Sequence, residues 1–178
     1  EINIDPTIAG SVVGTYWFLM MIGRLCGASI GAKVSSRAML TVVSTVGIAL
    51  VLGAIFCADN ILVNMPVFKS DISFGFAQVP VNVMLLILCG LCTSVMWGGI
   101  FNLAVEGLGK YTAAASGLFM VMVCGGGILP LIQGGVADFA GFLNSYWVIA
   151  LGLAYILFYA AIGSKNVNTD IPTDDYEA

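Results

Sequence analysis

Trp97 sits in the run Thr93-Ser94-Val95-Met96-Trp97-Gly98-Gly99, a large ring set among hydroxyls and glycines. Such a group suits a sugar, whose apolar pyranose face stacks on an aromatic ring while its hydroxyls seek polar side chains at the ring edge. Asn102 follows on the helical face of Ser94 and Gly98, and Tyr16, Trp17 and Gln133 lie in other apolar stretches. Trp97, Asn102, Tyr16 and Gln133 are the candidate substrate-binding residues; any one alone is more often interior packing, and it is their occurrence together that points to a site. Cys89 and Cys92 form a C-x-x-C, a spacing that can hold zinc or cycle a disulfide. The pair lies in an uncharged stretch without a second ligand pair, and the plainer reading is small packing residues. The chain contains no histidine, the commonest general base and metal ligand. No catalytic residue, metal or cofactor is expected.

A second group of residues could bend or gate helices. Gly125-Gly126-Gly127-Ile-Leu-Pro130 weakens the hydrogen-bond ladder of any helix that contains it, and Gly134-Gly135 follows. Backbone of that kind is tolerated in a membrane only where it lines a cavity or is buried in protein. A functional bend and simple close packing both fit. Arg24 stands inside an apolar stretch. An arginine there needs a carboxylate, helix-end carbonyls or water, or it snorkels to the interface. Arg24, Gly125, Gly126, Gly127 and Pro130 are therefore the candidate gating or structural residues. Gly23, Gly27 and Gly31 repeat every four residues, a stripe that lets two helix backbones touch.

The elements that must carry these residues are legible from composition. Hydrophobic residues make up 60% of the 178 positions and charged residues 9%, with a mean hydropathy of +1.02. An ordinary soluble domain is about one-quarter charged, so lipid is the natural solvent. A net charge of −4 with six basic residues leaves no nucleic-acid footprint. About 20 apolar residues cross a bilayer as a helix. Five stretches meet that length: Thr7 to Ala32, Ala38 to Ala58, Val81 to Val105, Thr112 to Val136 and Leu143 to Gly163. The expected architecture is all-α, a polytopic transmembrane bundle over residues 1–163 with a polar tail over 164–178. The stretch from Asp59 to Pro80 reads as a long loop with Pro66 and Pro80 as breakers.

Arg24, Lys33, Arg37, Lys110 and Lys165 fall on one side of these spans, and Lys69 alone on the other. The positive-inside pattern then puts residue 1 outside and the tail in the cytoplasm. The opening Glu-Ile-Asn-Ile-Asp-Pro has no initiator Met, charged n-region or signal peptide, so the chain is expected to be a piece of a longer protein. An odd span number with an external N-terminus points to at least one missing helix.

Val13 to Leu40, VGTYWFLMMIGRLCGASIGAKVSSRAML, resembles the eighth helix and following loop of the fucose–proton symporter family of the major facilitator superfamily. Ser94 to Gly141, with its I-F-x-L and GGGI…G-x-x-x-D-x-x-G patterns, resembles that family's tenth and eleventh helices. Bacterial glucose/galactose permeases are close relatives within it. The resemblance implies helices eight to twelve of a twelve-helix fold, with the amino-terminal half and the seventh helix absent. It implies a cavity lined by helices seven, eight, ten and eleven, with nine and twelve outside it, and a cavity aromatic at Trp97. It further implies proton-coupled monosaccharide import by alternating access in the cell (inner or plasma) membrane, with sugar, proton, lipid bilayer and the missing half as partners. The fragment alone would be inactive. One departure is plain. The superfamily's loop signature survives only as GAKVSSR, which offers no Asp for a gate salt bridge.

The coupling acid is expected elsewhere. Glu106 and Asp138 end spans beside water, Asp59 and Asp71 fall in the loop, and the other acids lie near the termini. The resemblance likewise assigns the proton-binding acids to the amino-terminal half. A membrane enzyme or assembly subunit is the alternative, but it would need a nucleophile with a base, a metal cluster or paired acids. A channel would normally show a filter or charged ring; neither is present.

Overall fold

Long apolar runs leave the main chain as the chief hydrogen-bonding group, and a helix satisfies it within the segment itself. The computed structural model describes residues 6–57, 61–68 and 73–165. Five helical stretches among them are long and apolar enough to cross a membrane. They are α1 (Pro6–Gly31), α2 (Ser36–Phe56), α3 (Val81–Val105), the pair α4 (Thr112–Met122) and α5 (Gly125–Ala140), and α6 (Phe142–Phe158). The chain is a multi-pass, all-α membrane bundle.

Local chemistry explains the helix ends. Ser35 caps α2, its hydroxyl accepting from the Ala38 N–H at 3.3 Å. Thr41 and Thr45 then donate to carbonyls one turn back, Arg37 and Thr41 respectively, both at 2.8 Å. Their polarity is spent inside the helix and not on lipid. Gly141 joins α5 to α6 at φ 93°, a left-handed turn that glycine enters without a Cβ clash. After Phe158 the last helix widens into a π turn over Tyr159–Gly163.

α2, α3 and α6 share the principal core. Leu40 and Val51 meet Cys89, Cys92 and Met96 of α3 and Ala150 and Leu153 of α6. All five cysteines are free thiols, and the C-x-x-C pair is buried in this core. The three helices converge at Gly47, where a Cβ would stand 3.5 Å from Leu153, 3.6 Å from Met96 and 3.7 Å from Cys92. α1 joins through its glycine stripe. A Cβ at Gly23 would collide with Ser94 Oγ, and one at Gly27 with Val95 Cγ1. Gly31, the third member, meets only Met39 of α2, at 3.9 Å. On the α3 side, a Cβ at Gly90 would approach the Tyr16 ring at 2.9 Å.

Two features depart from expectation. The 59–80 stretch is no irregular loop where it is described. Leu62–Phe68 (β1) and Phe74–Pro80 (β2) pair antiparallel, from Leu62 opposite Pro80 to Phe68 opposite Phe74. Pro66 lies within β1 and breaks nothing, because a two-stranded ribbon is all edge and an edge tolerates a missing N–H. Pro80 ends β2 and opens α3. Asp59, Lys69 and Asp71 lie outside the described residues, as does the tail beyond Lys165.

The expected fourth span is built from two pieces. α4 stops at Met122 and α5 begins at Gly125. Between them the bonds tighten to three-residue spacing, Val123 N–H to Met120 and Cys124 N–H to Val121 at 3.2 Å each. A short 3₁₀ turn, Gly109–Tyr111, precedes α4.

The glycine seam yields a test. In the full-length protein, Gly27→Leu should lower stability by about 1–3 kcal/mol, the scale of overpacking, read as an earlier thermal melt in detergent. Adding Val95→Ala should recover part of the loss. An unchanged melt for the Leu variant would mean that α1 and α3 do not touch there.

Candidate functional site

Two cavities hold the four candidate substrate-binding residues and Arg24, and they lie on different levels of α3. The first, of about 670 Å³, opens between α1 and α3 beside their glycine seam, with Gly27, Ser94 and Val95 in its wall. Arg24 contributes from α1, Ser36 and Met39 from the start of α2, and Trp97, Gly98 and Asn102 from α3. Nothing from α6 reaches it. The second, of about 500 Å³, is mainly apolar and includes Tyr16, Thr93 and Gln133 with Phe142 and Tyr146 of α6. The candidate substrate residues therefore split, Trp97 and Asn102 into one cavity, Tyr16 and Gln133 into the other.

Helical spacing accounts for the first grouping. Ser94, Gly98 and Asn102 recur every fourth residue and form one wall. Trp97 is 46% exposed, so its ring is available to a ligand. Its far edge is held by Phe119 of α4, with ring centroids 5.2 Å apart and planes at 60°. Phe119 also meets Phe101 at 5.4 Å. Sequence reading missed Phe119. A signal existed: α3 and α4 form a helical hairpin about Leu108, and Trp97 and Phe119 are equally far from it along the chain. Ser94 Oγ donates to the Leu91 carbonyl at 2.6 Å, leaving its lone pairs to accept.

Arg24 is exposed, and its guanidinium rests 3.9 Å from Met20 Sδ, a weak acceptor. A cation, an amide and an aromatic face thus line one recess. Asn102 also borders a neighbouring recess of about 630 Å³ with Ser35, Arg37 and Glu106. There Arg37 Nη2 donates to the Ser164 carbonyl at 2.9 Å, tying the start of α2 to the end of the last helix. A cation is favourable at such a carbonyl-rich terminus. It is the contact this arginine makes in a GAKVSSR loop that lacks the motif's Asp.

The upper cavity is organised by Tyr16. Its hydroxyl lies 3.4 Å from Thr93 Oγ1, and either oxygen can donate. Thr93 also donates to the Gly90 carbonyl at 3.2 Å. Trp17 stands edge-on to Tyr16, 62% exposed, and lines neither cavity.

Gly125, Gly126 and Gly127 have no atom within 4 Å of an added Cβ, so close packing among the described residues does not require them. Their place just after the α4–α5 break is a backbone matter. Pro130 continues α5, and its missing N–H leaves the Gly126 carbonyl without its helical partner. Glu106 and Asp138, the two carboxylates among the described residues, are both exposed at helix ends. No group of three potential metal ligands occurs among the described residues.

No protein-family model matches the chain, and no solved structure matches it. Curated proteins do. A glucose/galactose transporter of Brucella abortus biovar 1 is 30% identical over 169 residues, 91% of this chain and 36% of that protein. A putative glucose/galactose transporter of Helicobacter pylori is also 30% identical over 169 residues, with 92% and 37% covered. The L-fucose-proton symporter of Escherichia coli is 33% identical over 92 residues, 51% of this chain and 21% of the symporter. The chain thus spans little more than a third of the length of the first two. All three are named as transporters or symporters, in keeping with a protein that is not an enzyme. Five spans, the resemblance in the first, third and fourth of them, and 30% identity along nearly the whole chain agree. The chain is a homologue of bacterial glucose/galactose transporters along nearly its whole length, and of the fucose–proton symporter along about half of it.

Proposed function

We propose that this chain is the carboxy-terminal bundle, helices eight to twelve, of a proton-coupled monosaccharide importer that works by alternating access. The observation that carries this reading is the α1–α3 recess, in which Trp97, Asn102 and Arg24 face one space of about 670 Å³. That volume lies within the range of small-molecule sites. In this reading a pyranose lays its C–H face on the indole, whose angle is held by Phe119. The Asn102 amide both donates to and accepts from sugar hydroxyls, and Arg24 donates. Tyr16, Thr93 and Gln133 serve the same pathway at another level as the bundle tilts. The α4–α5 break at Gly125–Gly127, with Pro130 beyond it, supplies a bend that lets one side of the cavity open or close. Helices one to seven of the longer protein complete the pathway, and the chain's basic residues set its cytoplasmic face in the cell membrane.

A test of the binding site uses the full-length protein. Trp97→Ala should weaken sugar binding by about 1–2 kcal/mol, the scale of a lost aromatic contact, or roughly five- to thirtyfold in Kd. Trp97→Phe should recover part of it. Trp17→Phe, at a residue bordering neither cavity, should change nothing. Unaltered affinity in a well-expressed Ala variant would reduce Trp97 to packing.

Coupling and orientation can be tested on the same protein. A coupling carboxylate must titrate inside the membrane with a pKa sensitive to substrate, and neither Glu106 nor Asp138 is buried. Glu106→Gln and Asp138→Asn should therefore leave sugar-induced external alkalinisation intact in energy-depleted cells. Loss of that signal while sugar still moves down its gradient would place coupling in this half. Single cysteines at Lys69 and Lys110, in a cysteine-free background, should label from opposite faces. Labelling of both from outside would overturn the orientation.

A further inference from the structure

The hairpin β1–β2 has no role in the cavity chemistry, yet it is built firmly onto the bundle. The Phe68 N–H donates to Thr15 Oγ1 at 2.9 Å, and that hydroxyl donates onward to the Ser11 carbonyl at 2.7 Å. Phe18 stacks on Phe68, with centroids 5.2 Å apart and planes within 3°. Phe74 closes the cluster edge-on to both rings at 5.6 and 5.5 Å. Behind them Met65, Val67 and Val79 are buried with Ile87 of α3. At its other end the ribbon is tied to α3 by the Val81 N–H, which donates to the Ile61 carbonyl at 2.9 Å. The hairpin is seated on the flank of a membrane span, not over its end.

That flank is turned away from the Arg24 recess, although Val12, Tyr16, Val83 and Ile87 behind the ribbon also border the upper cavity. Nine positions separate Thr15 from Arg24, about two and a half helical turns, so the two residues point to opposite sides of α1. From Thr15 to the end of α1 at Gly31 the rise is about 24 Å, most of a hydrocarbon core of about 30 Å. The tip of the ribbon therefore stands near one edge of the hydrocarbon, with its base farther out.

The outward face follows that gradient. Residues directly opposite one another share a face. The exposed face carries Leu62 at the base, then Asn64 opposite Gln78 and Pro66 opposite Phe76, while at the tip Phe74 is exposed even though its edge meets Phe18. The polar pair stands near the base, and the aromatic residues lie toward the tip. Phe76 is 79% exposed and Phe74 67%. At the same end of the bundle Phe56 and Trp147 meet edge-on at 6.1 Å, and both are exposed. Aromatic residues gather at membrane–water interfaces in this way.

We propose that the outward face of the hairpin is a lipid-binding surface, which sets Phe74 and Phe76 into the phospholipid headgroup layer beside α1. The ribbon anchors the hairpin end of α1 to the bilayer while the recess at Arg24 opens on the other flank. This holds whatever solute the protein carries.

The test places an environment-sensitive fluorophore on single cysteines of the full-length, cysteine-free protein in phosphatidylcholine vesicles. Probes at Phe76 and, separately, Phe74 should be blue-shifted and should lose most of their emission to lipids spin-labelled at the headgroup or shallow acyl chain. A probe at Asn64 should lose less to lipid and be open to aqueous iodide. Val67, on the inner face, should respond to neither quencher. The two tip positions guard against one variant that fails to fold, with monodisperse elution as the check. Iodide access without lipid quenching at both would leave the face in water and overturn the proposal. Protection from both quenchers would mean that protein covers it, from elsewhere in the same chain or from a second copy, and would overturn it equally.

Discussion

The approach of α1 to α3 is the constraint on which the rest of this structure depends. Lipid tails are as apolar as leucine, so burying side chains between helices gains little from the hydrophobic effect in a membrane. Contact itself must supply the attraction, through many weak dispersion terms that fall off steeply with distance. Gly23 and Gly27 place backbone against Ser94 and Val95, and Gly90 receives the Tyr16 ring. Those contacts set the level at which the two helices are closest. On one side of the seam the hydroxyls of Tyr16 and Thr93 come within reach of each other, and beside it, walled by Gly27, Ser94 and Val95, opens the recess of Arg24, Trp97 and Asn102.

The bundle divides by packing. α2, α3 and α6 are locked through Gly47 and a continuous apolar core, and Arg37 ties two of their ends together. α4 and α5, by contrast, bury no residue fully among those described. Their joint at Val123–Cys124 carries tightened bonds, and a Cβ added to the glycines beyond it would meet nothing within 4 Å among the described residues. A three-helix block with a jointed span beside it is the arrangement that the proposed alternating access would require. The hairpin adds a fixed point, since it grips α1 where the recess does not reach.

Much of the fold could be read without coordinates because it is local. A run of about 20 apolar residues has few options in lipid, and the helix is the one that pairs every backbone group within the segment. The glycine stripe on α1 announced a close contact for the same reason, though it could not name α3 as the partner. Trp97 and Asn102 were legible as a pair through helical spacing. Phe119 was not, because its importance comes from the opposite arm of a helical hairpin. Tyr16 and Gln133 looked like companions of Trp97, yet they border a different cavity, since shared polarity carries no information about depth.

Composition, span length, the positions of the helix-weakening glycines and the absence of histidine were settled by the sequence itself. Each depends on residue type and near neighbours, or on the solvent those residues can tolerate. Tertiary structure alone decided that the 59–80 stretch contains a β-hairpin and that its inner face lies on α1. β pairing needs a partner strand and a surface to cover, and Pro66 in mid-strand argues locally against both. It alone decided that the candidate residues fall into two cavities. Which side chains share a space is set by where helices touch, and that is a property of pairs of segments far apart in the chain.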